Sequence, residues 1–298
     1  TPLYSSAASD VYKRQEYICD GLTDELISGL TKIEGLRVLS QSSAFQFKGK
    51  IEDVRKIGEL LNVDTVLKGS VRRAGNQLRV TVQLISVADG YYLWSETYER
   101  DVRDLFAIQK EISRAIVGAL RFHLAGEQYR RLAQAYSASP KAYDIYLKGR
   151  YYWNKRTEDG LRQSVEYFQQ AVVEDPNYAL GSAALADAYA LLASYGFSSP
   201  KEVMLKAKAA ALKALEIDDT LGEAHASLGF VRSFYDWEWL EAEREYKRAI
   251  ELNPGYATGH QWYSSFLRAT GRFNEALEEM KRAQELDPLS AAIGRDFG

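Results

Sequence analysis

The stretches AEREYKRAIELNP (242–254) and ALEEMKRAQELDP (276–288) are two copies of one pattern, and their reading decides the fold of more than half of the chain. In each, a small residue is followed four residues on by a ring or a Met, three further by Ala and five further by Pro. Upstream, Ser164, Phe168, Ala171 and Pro176 keep the same offsets, as do Ala207, Ala211, Ala214 and Asp219 with Ala211 in place of the ring. The closing positions Pro176, Asp219, Pro254 and Pro288 stand 43, 35 and 34 residues apart. Steps of four and three place the marks on one face of an α-helix, and a closing Pro cannot continue that helix. A second set of marks precedes each copy: Gly149 and Tyr152, Leu185 and Tyr189, Leu228 and Gly229, then Tyr263 and Ser264 with Gly271 and Phe273 at the following turn. Each unit is therefore a helix pair, with the small residue where the second helix crosses the first.

A period of 34 residues with these marks resembles the tetratricopeptide repeat, which implies an all-α solenoid over 140–298 with four repeats. The second unit exceeds the period by nine residues, and ASYGFSSPKEV (193–203) predicts a longer inter-helix loop there; the third carries one extra residue around Tyr235 to Trp239. In such a stack the first helices line a concave groove where a peptide or partner helix lies. The inward positions are Tyr146, Arg150, Trp153 and Asn154, then Asp187, then Phe230 and Phe234, then Gln261 and Arg268. Rings beside Arg and amide groups suit protein recognition, because aromatic side chains bury area at low entropy cost. Trp153, Phe230 and Phe234 fit packing between repeats equally well, whereas Arg150, Asn154, Gln261 and Arg268 suit the groove.

Before residue 125 the period differs. Leu22, Leu26, Leu30 and Ile33 share one helix face, with Asp20 placed to cap the first turn. Leu36 to Leu39 reads as a short strand, and Ile51 to Leu61 as a helix ending at Asn62. Thr65 to Arg73 and Gln77 to Val87 flank the turn pair Gly75-Asn76, and Leu78, Val80, Val82 and Leu84 alternate with polar residues, which predicts a hairpin. Asp89-Gly90 turns the chain into Tyr91 to Arg100, where Tyr91, Tyr92, Trp94 and Tyr98 read as a cross-strand aromatic set, and a helix follows with Leu105, Ile108, Ile112, Ile116 and Leu120 on one face. The expectation is an α/β domain, a three-strand antiparallel meander plus a short strand packed with helices, followed by the solenoid.

The run DGLTDELISGLTKIEGLRVLS, then SSAFQFKGK, GSVRRAGNQLRVTVQLI and GYYLWSETYERD, resembles the TolB-like amino-terminal domain over residues 16–124. The resemblance implies a bacterial multidomain signalling protein, in which such a domain accompanies adenylate or guanylate cyclase, kinase or winged-helix modules. Family members begin with a strand before the DGL helix, and here TPLYSSAASDVYKRQ (1–15) stands in its place. That segment resembles a translated sequencing adapter, and is expected to be non-native or disordered. Residues 125–139 form the junction, and LSAAIGRDFG (289–298) starts a further helix, so the chain reads as a fragment of a longer protein.

Composition narrows function further. Among 298 residues, 38 Lys and Arg face 41 Asp and Glu, which argues against nucleic-acid binding. Residues 140–298 hold 19 basic and 24 acidic side chains, so a partner with basic character is favoured. One Cys and three His leave no disulfide framework and no evident metal site. Asp20, Asp24 and Glu25 read as helix-start acids rather than a catalytic cluster, and phosphate-loop, dinucleotide, zinc-protease and nucleophile-elbow motifs are absent. The longest nearly apolar stretch, Ala183 to Phe197, contains Asp187 and is too short to span a bilayer. These readings converge on a non-catalytic segment without cofactor or metal, whose groove binds a protein or peptide partner or a second copy. The alternative is a small-molecule or envelope-signal sensor with the repeats as a spacer. Compartment is left open.

Overall fold

The computed structural model describes residues 6–33, 35–50, 53–101, 104, 107–109, 111–112, 115–116 and 139–297, with side chains from Glu16 onward except those of Arg73 and Phe297. They fall into two compact units, Thr1–Leu26 with Phe47–Ala135, and Ile27–Gln46 with Tyr136–Gly298. The segment 27–46, which the sequence places in the α/β domain, is thus grouped with the repeats. The junction expected at 125–139 lies outside the described residues except for Ser139, and so do Leu105 and Leu120.

In the first unit, β1 (Thr65–Ala74), β2 (Gln77–Ser86) and β3 (Tyr92–Asp101) form an antiparallel meander in the order β1-β2-β3. Leu78, Val80, Val82 and Leu84 are all buried, as period-two alternation demands. Gly75 takes φ of 61° in the two-residue turn, a conformation that costs glycine little. At the second turn Gly90 takes φ of 78°, and Asp89 accepts the Tyr91 N–H at 3.1 Å. A helix, Val54–Leu61, precedes β1; the Asp53 carboxylate accepts the Arg55 N–H, and Asn62 at φ 51° ends it. Ile108, Ile112 and Ile116 are buried as their spacing predicts.

Three expectations change here. The first helix, α1, runs Ser6–Thr31, so Asp20 lies mid-helix and caps nothing. Its carboxylate is instead held by Lys48 Nζ at 2.7 Å, and Lys48 also reaches Glu16 at 2.8 Å. Burial raises the Asp20 carboxyl above its usual range against the opposing pull of Lys48. Leu36 to Leu39 form no strand, because their backbone has no ladder neighbour among the described residues; the next amide, Ser40 N–H, donates to the Leu286 carbonyl at 2.8 Å. The β3 rings face aliphatic partners, Tyr98 opposite Val80 and Trp94 opposite Leu84, while Tyr91 and Tyr92 are exposed. A cross-strand aromatic set therefore does not form.

With α2 (Gln41–Phe45) and α3 (Val54–Leu61) counted, the repeats pair α4 (Pro140–Trp153) with α5 (Glu158–Glu174), α6 (Ala179–Ser194) with α7 (Pro200–Ile217), α8 (Gly222–Val231) with α9 (Trp239–Leu252), and α10 (Ala257–Ala269) with α11 (Phe273–Leu286). A last helix, α12 (Ala291–Phe297), follows, and its Ile293 is buried with Met280, Ala283 and Leu286. The small-residue marks are packing requirements: a Cβ on Gly149 would stand 2.4 Å from the Phe168 ring, and one on Gly229 3.1 Å from Tyr246. In the fourth repeat Ser264 occupies the glycine position, and its hydroxyl donates to the Ala276 carbonyl at 2.6 Å.

Insertions are absorbed in different ways. The second repeat keeps a connector of only 195–199, and most of its excess lengthens α6 to 16 and α7 to 18 residues, against 13 and 14 for α10 and α11. In the third repeat the extra residue becomes a π turn, Arg232–Asp236, closed by Trp237 N–H donating to Arg232 O.

Glu243 of α9 ties the last two repeats together, meeting Lys247 at 2.8 Å and Arg272 at 2.7 Å. Hydrogen bonds from Lys247 and Arg272 hold its carboxyl down, from 4.5 to about 2. A depressed carboxylate stabilises the fold above its unfolded pKa, and that stabilisation fades as pH falls from about 4.5 towards 2. Glu243→Gln is expected to flatten the acid limb of stability in that window, read as Tm against pH; an unchanged acid limb would count against the tie.

Candidate protein-interaction site

The first helix of each repeat presents its inward side chains in a row, and the positions named from sequence divide into packed and accessible groups. Tyr146 is 3% exposed and meets Phe168 and Tyr178 with ring centroids 5.7 and 5.3 Å away, so it belongs to the interior of the stack. Phe230 is likewise buried, against Phe234 and Trp262. The Trp153 ring is covered by the guanidiniums of Arg150 and Arg156, at 4.3 and 3.5 Å from its centroid. Phe234 is 38% exposed within the π turn, and Arg268 is exposed in the last turn of α10. Gln261 donates to Asp296 of α12 at 2.7 Å, so its amide is committed within the chain.

A polar column remains. Asp187 is buried in the middle of α6, and Glu223 is partly buried in the first turn of α8. Burial raises Glu223, but Lys32, its own backbone amide, Asn253 and Arg150 outweigh this and hold the carboxyl below its usual range. Tyr256, just before α10, is pushed well above the ordinary phenol range by burial, with Asp187 and Glu223 adding and Arg150 and Arg156 opposing. These opposing effects place Arg150, Arg156, Asp187, Glu223 and Tyr256 within one electrostatic neighbourhood drawn from all four repeats. Within it, Trp153 Nε1, Asn154 Nδ2, Glu223 Oε2 and Asn253 Oδ1 are buried atoms without a hydrogen-bond partner among the described residues. Such atoms are costly to leave dry, and donors and acceptors of this kind can pair with a peptide backbone.

Sequence reasoning named Arg150, Asn154 and Asp187 but missed Glu223, Asn253, Arg156 and Tyr256. Glu223, Asn253 and Tyr256 flank the repeat boundaries and Arg156 lies in the turn between α4 and α5, so a register counted only along the middle of each first helix passes over them. The available signal was Glu223 following Gly222 at a helix start, inside an apolar helix that needs no other acid.

Two further histidines form a repeated device. His225 meets Glu245 at 2.6 Å and the Asp219 carbonyl at 3.0 Å; His260 meets Glu279 and the Pro254 carbonyl at the same distances. Each joins its first helix to the second helix of the same repeat and to the preceding turn. Among the described residues no cluster of His, Cys, Asp and Glu is arranged to hold a metal, and no helix is long and apolar enough to cross a membrane.

Comparison with known proteins fits this organisation. Residues 12–115 match the model of the second domain of HilA/YgeH-like transcriptional regulators. A putative adenylate cyclase 3 of Rhizobium meliloti is 44% identical over 137 residues, 46% of this chain and 23% of that protein. The transcriptional regulator HilA of Salmonella typhimurium is 24% identical over 278 residues, 92% of this chain and 49% of that protein. The chain thus spans half or less of the length of these curated relatives. Among solved structures, a thermophilic TPR protein of Thermus thermophilus aligns over 66% of this chain and 93% of that one, with 18% identity and a TM-score of 0.43. The chain carries a domain similar to the HilA/YgeH second domain, followed by TPR-like helical repeats.

Proposed function

We propose that this chain is a non-catalytic regulatory segment of a bacterial signalling protein and that the inward face of its repeats binds a protein or peptide. The observation that carries the reading is the polar column, where the charges of Arg150, Asp187 and Glu223 bear on Tyr256 or on one another and Trp153 Nε1, Asn154 Nδ2, Glu223 Oε2 and Asn253 Oδ1 are buried without a partner among the described residues. A transcriptional regulator and a putative adenylate cyclase share parts of this sequence, which supports a module common to proteins with different outputs. In this reading the output, cyclase, kinase or winged helix, belongs to a separate part of the parent protein. TolB-like character of the first domain is part of the same proposal.

A random-peptide display library panned on the purified chain tests it. Selected peptides are expected to bind the Arg150→Ala/Asn154→Ala/Arg268→Ala chain at least about tenfold more weakly than the wild type. A panel whose binding is indifferent to the triple substitution would place recognition elsewhere.

A further inference from the structure

The residues one before the closing positions cap their own turns in two cases, and the fourth does something else. Asp175 accepts the Asn177 N–H at 3.1 Å and Asp218 the Thr220 N–H at 2.9 Å, each fixing the turn that follows it. Asp287, at the corresponding place in the fourth repeat, is surrounded by serine hydroxyls. Ser40 donates to its Oδ2 at 2.8 Å, Ser43 to its Oδ1 at 2.7 Å, and Ser42 also donates to Oδ2. The backbone completes the match: Ser40 N–H donates to Leu286 O at 2.8 Å, and Leu289 N–H to Ser43 Oγ at 2.9 Å. Ser43 has no exposed surface.

The same segment touches the third repeat. Ser28 donates to Glu223 Oε1 at 3.3 Å, and Lys32 Nζ stands 4.0 Å from that oxygen. Thr31 lies so close to Gly255 that a Cβ there would come within 2.7 Å of the Thr31 side chain. Ile33 and Leu39 are buried between these two anchor points in sequence. Glu223 therefore belongs both to the polar column and to the seat of this segment.

We propose that Ile27–Gln46 is a displaceable ligand of the third and fourth repeats held in cis, with Asp287 reading its Ser40, Ser42 and Ser43 hydroxyls and Glu223 its Ser28 and Lys32. The proposal deepens the protein-binding reading, since it names the occupant of one end of that surface. Its contacts suit release rather than permanent burial. Its polar contacts, hydroxyls and an ammonium on two carboxylates and two hydrogen bonds with backbone amides, can all be taken over by water, so release costs mainly the burial of Ile33 and Leu39, and the buried Gln41 Nε2 has no partner among the described residues and regains one on release. Being tethered, the segment acts at an effective concentration of about millimolar, so a competitor in trans must exceed that to displace it.

A synthetic peptide with the sequence of residues 27–46, carrying a fluorophore, is the probe, titrated into the full chain by anisotropy. The Ser40→Ala/Ser42→Ala/Ser43→Ala chain, whose own segment is weakened and whose receptor is intact, is expected to take up the peptide about tenfold more tightly than the wild type. Adding Asp287→Ala to that chain is expected to remove the gain. Equal uptake by wild type and triple variant, no uptake by the triple variant, or uptake indifferent to Asp287→Ala would each overturn the proposal. Hydrogen exchange gives a second reading on a milder change: Asp287→Asn is expected to speed exchange at residues 40–46 while α4 to α7 keep their protection, and unchanged exchange at 40–46 counts against it. Both molecules in the titration derive from this chain, so its outcome is separate from whether the display library finds a foreign partner.

Discussion

Phe168→Ala is expected to lower the stability of the repeats by about 3–5 kcal/mol, the cost of truncating a fully enclosed ring and leaving a cavity. Phe168 has no exposed surface, and it fills the space that Gly149 leaves open, where a Cβ would stand 2.4 Å from the ring. Tyr146 packs on it from the first helix with centroids 5.7 Å apart. The cavity cannot close easily, because the glycine opposite has no side chain to swing in. A loss of that size is a large share of the roughly 5–15 kcal/mol that a domain holds in total. In a solenoid each repeat packs mainly on its neighbours, so unfolding is expected to begin at α4 and α5 and to leave the fourth repeat more protected. Urea unfolding followed by circular dichroism measures the loss. Val173→Ala, at an 81% exposed site on the same helix, is the control and should stay within about 0.5 kcal/mol. A Phe168→Ala chain within about 1 kcal/mol of wild type, on the scale of ordinary surface changes, would mean that α4 and α5 do not pack as described.

The helical repeats were legible because their rule is local and recurs. A small residue opposite a ring follows from the thickness of a helix crossing, and four copies at fixed offsets leave little freedom in register. Even the extra residue of the third repeat was visible, although sequence could not say that a π turn would absorb it. The lengthened α6 and α7 were misread as a loop because Gly196 and Pro200 mark a turn wherever they stand, and the residues beyond them carry no sign of how far the helices run. The hairpin was equally plain, since alternation and Gly75-Asn76 agree. Leu36 to Leu39 failed for the opposite reason. A strand is defined by a neighbour, and the partners of Ser40 lie about 250 residues away in the chain, at Leu286 and Asp287.

The candidate site was only half legible. Arg150, Asn154 and Asp187 follow from counting along the first helices, whereas the choice between packing and recognition for the rings depended on what stands beside them. Arg150 and Arg156 cover Trp153, and Trp262 covers Phe230, so most of the aromatic surface is used within the chain. Glu223 and Asp287 gain their roles from Lys32 and from Ser40, Ser42 and Ser43, residues that a domain boundary drawn on sequence assigns elsewhere. No periodicity connects them.

Val80→Asp is expected to be the most damaging single change in the first unit, at about 4 kcal/mol or more, because it places an unpaired carboxylate in an apolar site. Val80 is 1% exposed at the centre of β2, opposite Val71 on β1 and Tyr98 on β3. Its neighbours along the strand on the same face, Leu78 and Val82, are buried too. The one polar atom close by in the pairing, the Tyr98 hydroxyl, already donates to Glu96 at 2.8 Å. Moving the strand by one residue would relieve the charge only by turning the whole apolar set outward, so register offers no escape. Protonating the new carboxyl lowers the cost, and partial recovery is expected as pH falls towards and below the pKa that burial imposes on it. The residue before it supplies the contrast. Arg79 faces outward and pairs with Glu99 at 2.9 Å with both side chains more than half exposed, so Arg79→Ala should cost under about 1 kcal/mol. Hydrogen exchange of the β2 amides measures both variants in the intact chain. Protection of β2 that survives Val80→Asp at the wild-type level would show that this face of the meander is open to water.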